Sequence, residues 1–311
     1  MNRLKIISGL LIVFCFSCVK ELNIKSQSSV HKIVLNSVFN PNSIFKVELS
    51  PSFSPYEDIE VKEIKDATVS IYEEGILKEN LVYQTSTDKH LGKYISSFVP
   101  IQGKNYRIKA SSPNYDDVAA TAKIPSLVTF KEAKAINDKL WTSNNPGLIR
   151  HDFSFVLDDN PEENYYYLTI SAPINKFNPQ TLEWELYAHQ YAEILIADLP
   201  KAQLYVNNGL IFTDRSFNGN SFKIKGTATS YREIHEEFDG ISGLVKDTSI
   251  LEVSLHHLSK EVYYFYTSHA TNLLNQDDFY TEPTSVYSNI KNGFGIFGGE
   301  AIDEQEMVIQ Y

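Results

Sequence analysis

The chain has almost no cysteine. Of 311 residues only Cys15 and Cys18 carry a thiol, and both fall in the first twenty positions. The rest of the chain has no disulfide to staple it, so cores, a metal or partners must hold its fold. The two thiols stand at Cys-x-x-Cys spacing, which in a cytosolic βαβ setting suggests redox chemistry; inside an apolar leader that reading fails. Positive charge is also short: 28 Lys and Arg stand against 39 Asp and Glu, a formal charge of −11. Nucleic-acid binding rests on clustered Lys and Arg neutralising phosphates, and no such cluster exists, which argues against nucleic acid as a partner. The apolar run Ile6 to Phe16 is too short for a membrane-spanning helix, which needs about 20 apolar residues.

Catalytic signatures are missing as well. There is no Gly-x-Ser-x-Gly elbow of an α/β hydrolase and no His-Glu-x-x-His helix of a zinc protease. His256-His257 with Glu261 is the nearest approach to a metal cluster, but adjacent residues on a strand point to opposite faces and do not readily share one ion. The loop Asp158-Asp159-Asn160-Pro161-Glu162-Glu163-Asn164 is crowded with oxygen donors. It lacks the regular spacing of a calcium loop, and Asp, Asn and Pro are ordinary turn formers. Gly293, Gly295, Gly298 and Gly299 are not followed by the helix a dinucleotide site requires. No catalytic, cofactor or metal residue is therefore nominated, and no cofactor is expected. Paired acids of a glycosidase, assembled from distant positions, would leave no trace in sequence.

What the chain does have is an address. Arg3 and Lys5 precede the apolar run, the layout of an export signal. Ser17 supplies a small side chain beside the cut, and Cys18 a thiol that can take a diacylglyceryl group and become the first mature residue. Cys15 and Phe16 depart from the usual lipobox, which leaves a nonlipidated signal cut elsewhere or an uncleaved anchor as alternatives. Cys18 is the expected lipid-attachment site, with residues 1–17 as signal peptide. Loss of Arg3 and Lys5 would take the charge to −11 − 2 = −13. Residues 18–29, rich in Lys, Asn, Ser and Gln, form an expected tether, which as a coil spans roughly 15 to 20 Å. Val19-Lys20-Glu21 resembles the Lys-plus-acid signal that carries some Bacteroidota lipoproteins to the cell surface.

The body is strand-rich. Lys32 to Phe39, Phe45 to Leu49, Ala67 to Tyr72, Leu81 to Tyr83, Gly92 to Phe98, Tyr106 to Ala110 and Val118 to Ile124 alternate or run apolar between turn residues, which predicts a β-sandwich over 30–125, immunoglobulin-like or transthyretin-like. Pro125 marks the boundary. Residues 126–311 predict a second β-rich domain: Phe153 to Leu157 and Tyr165 to Ile170 on either side of a hairpin-like loop, Leu182 to Tyr191, Leu204 to Val206, Leu210 to Phe212, a tight type I′ turn at Asn218-Gly219 before Phe222 to Ile224, and Leu251 to Leu255. Residues 227–248 read as an exposed excursion. Ser259 caps an expected helix near 259–275, with Val262, Phe265, Tyr266, His269, Ala270 and Leu273 on one face. His269 reads as a core or boundary histidine rather than a ligand. The tyrosine runs Tyr165 to Tyr167 and Tyr263 to Tyr266 read as packing residues, and Trp141 and Trp184 as candidates for ligand contact.

The tail Glu282-Pro283-Thr284-Ser285-Val286-Tyr287 through Gly298-Gly299, with Leu258 to Tyr264 before it, resembles an uncharacterised Bacteroidota lipoprotein family, domain of unknown function 4249. Leu35-Asn36, Asp66 to Val69, Asn164-Tyr165-Tyr166 and Thr213-Asp214 through Gly219 fit the same resemblance. It implies an outer-membrane, lipid-anchored protein, surface-exposed if the Lys-plus-acid signal acts. Members are often encoded beside TonB-dependent receptors and have no established catalytic residues. The expectation is thus a noncatalytic accessory or substrate-binding partner of such a receptor, held to the outer membrane by its lipid. A surface glycan- or peptide-cleaving hydrolase and an adhesin or structural envelope module are the rival classes. The small-molecule or glycan ligand is unknown from sequence.

Overall fold

The structure is a computed structural model and describes residues 31–53, 62–86, 91–138, 148–178, 180–196, 204–231, 245–246, 250–275 and 284–310. Its contacts group into two units, Met1–His31 with Phe53–Ile59, and Lys32–Ser52 with Glu60–Tyr311. Of the first, only His31 and Phe53 are described; every element named here belongs to the second. Cys15, Cys18, the signal and the tether as far as Ser29 lie outside the described residues, as do Trp141 and the side chain of Trp184.

The protein is mainly β, with one helix near the C-terminus among the described residues. Eight short strands come first: β1 (Ile33–Phe39), β2 (Lys46–Pro51), β3 (Thr68–Glu73), β4 (Ile76–Asn80), β5 (Val82–Gln84), β6 (Lys93–Ile95), β7 (Asn105–Ser111) and β8 (Val118–Lys123). Alternation explains them. On β7, Tyr106, Ile108 and Ala110 are buried while Asn105, Arg107, Lys109 and Ser111 are exposed, the period of two that presents one face to a core. The sheet β4-β3-β7-β8 and the strands β1-β2-β6-β5 bury one cluster that includes Leu35, Phe45, Val69, Tyr94, Tyr106 and Ile108. β4 was not expected from sequence, because Ile76-Leu77-Lys78-Glu79-Asn80 has no buried residue to set a period. It follows the Glu74-Gly75 turn, where both residues have positive φ (50° and 84°).

The second half comprises β9 (Phe130–Asp138), β10 (Leu148–Asp158), β11 (Tyr165–Asn178), β12 (Glu183–Tyr191), β13 (Glu193–Ile196), β14 (Leu204–Val206), β15 (Gly209–Thr213), β16 (Ser221–Tyr231), β17 (Val245–Lys246), β18 (Ile250–Leu258), α1 (Lys260–Asn275) and β19 (Phe294–Gln310). The layer β13-β16-β10-β9 and the strands paired around β11 enclose a second cluster, including Phe153, Phe155, Tyr166, Ile170, Phe212, Val253 and Met307. The two clusters change over between Ile124 and Val128. A third, smaller cluster lies under α1, around Tyr165, Ile211, Leu258, Val262 and Ala270.

β19 ties these together. Phe294 to Gly299 run parallel to β1, Glu300 to Val308 antiparallel to β18, and Ile309-Gln310 parallel to β9. Phe297 and Ala301 enter the first core, Met307 and Ile309 the second. The glycines make close approach possible. A Cβ on Gly298 would lie 2.3 Å from Val262 Cγ2 of α1, and one on Gly299 2.6 Å from the Lys123 carbonyl oxygen. Phe294, at the start of β19, is 48% exposed, with the Lys32 ammonium over its ring.

Other expectations need correction. The loop 158–164 is no hairpin: β10 pairs with β9 and β16, β11 with β12, β15, β17 and β18, so the loop crosses between layers. Asn218-Gly219 does not close a type I′ hairpin either, since β15 and β16 do not pair; only Gly219 has positive φ, and two successive turns span Asp214 to Asn220. The supposed excursion at 227 begins as strand, with β16 continuing to Tyr231 against β10. On α1 the expected stripe is narrower than drawn. Val262 and Ala270 are buried, but Leu273 is 49% exposed.

Candidate functional site

A cleft of about 390 Å³ opens where the end of the first sandwich meets the second half. Lys123, Pro125 and Ser126 line it from the segment leaving β8, Glu162 to Tyr165 from the crossing loop, and His257 to Glu261 from the end of β18 and the first turn of α1. Asn105 at the start of β7 completes the rim. These segments are remote in sequence but held together by main-chain hydrogen bonds: Ser259 N donates to Gly299 O (2.8 Å), and Gly103 N donates to Ile124 O (3.1 Å).

Polar groups in the cleft fall into two kinds, satisfied and unsatisfied. His257 is buried, and its Nδ1 lies 2.5 Å from the Ser126 carbonyl oxygen. A carbonyl only accepts, so Nδ1 carries the proton and Nε2 is left a bare acceptor. Burial holds this imidazole below its ordinary pKa, outweighing the Ser126 contact that favours the charged form. The neighbouring His256 faces the other way, Nδ1 3.0 Å from Glu300 Oε2, as adjacent strand residues must. Glu261 lines the cleft with His257, so the structure separates the sequence cluster of two histidines and one acid. Among the described residues no group of three or more His, Cys, Asp or Glu is placed to hold a metal ion.

Tyr165 and Ser259 are buried, at 4% and 8% exposure, and both hydroxyls are closed off from solvent; Ser259 Oγ has no hydrogen-bond partner, while Tyr165 OH has Glu163 and Tyr264 as hydrogen-bonding neighbours. Ser259 occupies the N-cap position and its carbonyl accepts from Tyr263 N (3.1 Å), but its Oγ does not cap the helix as expected. The Tyr165 ring packs 4.5 Å from that of Tyr263; burial first, then hydrogen bonding to Glu163 and Tyr264, push its phenol pKa up.

Behind the cleft wall the crossing loop is fixed by a polar node. Asn164 N donates to Asp214 Oδ2 (2.8 Å), and its side-chain Nδ2 lies 3.0 Å from Asp159 Oδ1, 3.0 Å from Asn160 Oδ1 and 2.9 Å from Glu162 O. Tyr166 OH donates to Asp159 Oδ1 (2.5 Å) and Gly219 N to Asp159 Oδ2 (2.8 Å). Asp158 is taken by Lys131 at 2.5 Å. The loop's oxygens thus bind the protein's own donors, which is how Asp and Asn build turns. Asp214 is fully buried with Oδ1 unpaired; burial raises its pKa, and the charge on Asp159 adds to this. Segments that carried the family resemblance, Asn164-Tyr165-Tyr166 and Thr213 to Gly219, meet at this node.

The tyrosine runs are packing residues: Tyr165 and Tyr166 are buried, and Tyr263 to Tyr266 are half-buried in ring contacts. His269 is likewise half-buried, its ring stacked 6.2 Å from Phe265. Sequence reasoning missed the cleft because its lining comes from a domain linker, a turn and a strand end.

Among curated proteins none matches this chain. Solved structures similar to it include a biofilm associated protein B domain, at 7% identity over 88% of this chain and 85% of that one (TM-score 0.19), and a biofilm associated protein BSP domain, at 6% identity over 88% and 59% (TM-score 0.17). Likeness at that level carries no argument about fold or function. The family model described as Domain of unknown function (DUF4249) matches residues 19–306. With nearly its whole length matched, the chain belongs to the DUF4249 family.

Proposed function

We propose that this protein is a noncatalytic, lipid-anchored protein of the outer membrane that binds a ligand in the cleft between its two halves and serves as an accessory of a TonB-dependent receptor. The cleft carries the reading: segments remote in sequence bring Lys123, Glu162, His257 and Glu261 around one concave site of about 390 Å³. A serine nucleophile needs a base within hydrogen-bond reach, and Ser259 Oγ meets none although His257 lies two residues away. The export leader ending at Cys18 and membership of the family support the envelope location and the receptor partnership.

The test is purification of the tagged protein from mildly solubilised membranes. Recovery of a TonB-dependent receptor in repeated preparations is the expected result; repeated recovery of the protein alone sinks the partnership. One observation favours a second reading, that of a surface hydrolase: Glu162, Glu163 and Glu261 all line the cleft. Glycosidases work with two carboxyls roughly 5 to 10 Å apart. Glycan cleavage abolished by Glu162→Gln or Glu261→Gln would replace the binding reading with that one.

A further inference from the structure

The polar node behind the cleft wall holds more acceptors than its donor can serve. The side-chain nitrogen of Asn164 has only the hydrogens of one amide to donate. Four oxygens face it: Asp159 Oδ1 at 3.0 Å, Asn160 Oδ1 at 3.0 Å, Glu162 O at 2.9 Å and Asn160 O at 3.3 Å. A second carboxylate closes in from the turn after β15. Asp214 is fully buried, and its Oδ2 accepts from Asn164 N (2.8 Å). Its Oδ1 accepts no hydrogen bond, and the side-chain donor beside the carboxylate is again Asn164. An amide serves acceptors along its N–H directions and leaves the others facing one another. A cation attracts oxygens from every side.

Charge points the same way. Buried charges in proteins are paired or coordinate metals. The cations near this loop are taken by other acids, Lys131 by Asp158 and Arg215 by Glu163, and among the described residues neither Asp159 nor Asp214 forms an ion pair. Two carboxylates match a divalent ion. The other donors are a side-chain amide and main-chain carbonyls, so the set differs in kind from a cluster of three or more acids or histidines. All-oxygen ligation disfavours zinc, which takes nitrogen and sulfur. Calcium accepts about 6–8 oxygens in loose geometry, whereas magnesium demands a near-ideal octahedron and keeps its waters. The spacing of a one-loop calcium site does not apply, because Asp214 reaches the loop from another connection.

We infer that the crossing loop is a calcium site, in which the ion displaces the Asn164 amide nitrogen and is held by Asp159, Asn160, the Glu162 carbonyl and Asp214, with Asn164 turning its side-chain oxygen inward. Oxygens that now accept from the amide keep a lone pair for the metal once it leaves. Tyr166 OH and Gly219 N, donating to Asp159 at 2.5 and 2.8 Å, hold that carboxylate in place. Pro161 and Glu162 are exposed, so the ion reaches the loop from solvent rather than through the cleft. Once bound, it ties the loop that supplies Glu162 to Tyr165 to the cleft wall to the turn at Asp214.

The experiment is titration of the full-length protein in detergent, stripped with EDTA, with calcium and with magnesium, followed by calorimetry and melting temperature. The expected result is one calcium bound at a Kd of about 10⁻³ M or tighter, with magnesium at least about tenfold weaker. The melting temperature should rise by about 3 °C or more at about ten times Kd. Asp214→Asn and Asp159→Asn keep the size of each side chain and remove a charge; each should weaken calcium at least about tenfold and lose the calcium-dependent rise in melting temperature, which a purely structural role would leave in place. Should Asp214→Asn fail to fold, Asp159→Asn, whose side chain is half-buried, decides alone. Silence at about 10 mM calcium or equal affinity for magnesium overturns the inference. So does calcium affinity unchanged in the variants, which marks adventitious binding by surface acids.

Discussion

Gly295 gives the sharpest test of how β19 is built. Its φ is +102°, and a Cβ placed on it would lie 2.2 Å from the Leu35 carbonyl oxygen and 2.7 Å from Asn36 Oδ1. Ordinary contact begins near 3.4 Å, so the shortfall against Leu35 is 3.4 − 2.2 = 1.2 Å. Leu35 cannot yield: it is paired with Gly295 on one side and Leu49 on the other. For Gly295→Ala the backbone strain costs about 1–2 kcal/mol. Relief of the clash breaks one or two ladder hydrogen bonds, about 1 kcal/mol each, and loosens the buried Ile296 and Phe297. The sum, about 3–5 kcal/mol, is a large part of the 5–15 kcal/mol typical of a whole domain.

Gly75 is the control. Its φ is also positive, +84°, but nothing lies within 4 Å of a Cβ there. Gly75→Ala therefore isolates the backbone strain, about 1–2 kcal/mol. Urea unfolding followed by circular dichroism and fluorescence separates the two, provided the transitions coincide. At an m-value of about 3 kcal/mol/M, Gly295→Ala should lower the midpoint by more than about 1 M and Gly75→Ala by about 0.3–0.7 M. Equal midpoints would refute the claim that β19 is glycine-rich because β1 lies too close for a side chain.

Three further outcomes follow from the same structure. Asn164→Ala removes the amide donor from Asp159 Oδ1 and Asn160 Oδ1 and should cost about 2–4 kcal/mol; paired with Tyr166→Phe, which serves the same Asp159 oxygen, it should be non-additive in a double-mutant cycle by at least about 0.5 kcal/mol. Burial holds the folded-state pKa of His257 below the ordinary imidazole value of 6.5, so below about pH 6.5 the unfolded chain takes up a proton the folded chain refuses, and stability falls with acidification until the folded pKa is passed; His257→Asn, which keeps a donor for Ser126 O, should flatten that limb of a melting-temperature profile. Cys18→Ala should abolish radiolabelled fatty-acid incorporation and release the protein from membranes, and unchanged labelling would remove the lipid anchor from the account.

Legibility in sequence tracked how local the determining physics was. β1, β2, β3, β7 and β8 were readable because each sets polar against apolar at a period of two, and that pattern survives whatever the strand pairs with. β19 was not readable. Glycine is a poor strand former in general, and the sequence allows Gly293 to Gly299 either tight bends or close backbone approach; the structure shows close approach, because β1, β8 and α1 crowd the strand, a fact held by residues 35, 123 and 262 rather than by the tail. The tight-turn reading of Asn218-Gly219 failed for a related reason. A turn signal says that the chain reverses, but whether the flanking strands pair depends on neighbours, and β16 found β10 and β13.

The site was illegible for the same reason in stronger form, since its two marked residues are unremarkable where they stand. Ser259 before a helix is the ordinary N-cap signal, and only the structure shows that its hydroxyl leaves the helix uncapped. Tyr165 in a tyrosine run is an ordinary strand residue, and only the structure shows it buried at the wall of the cleft.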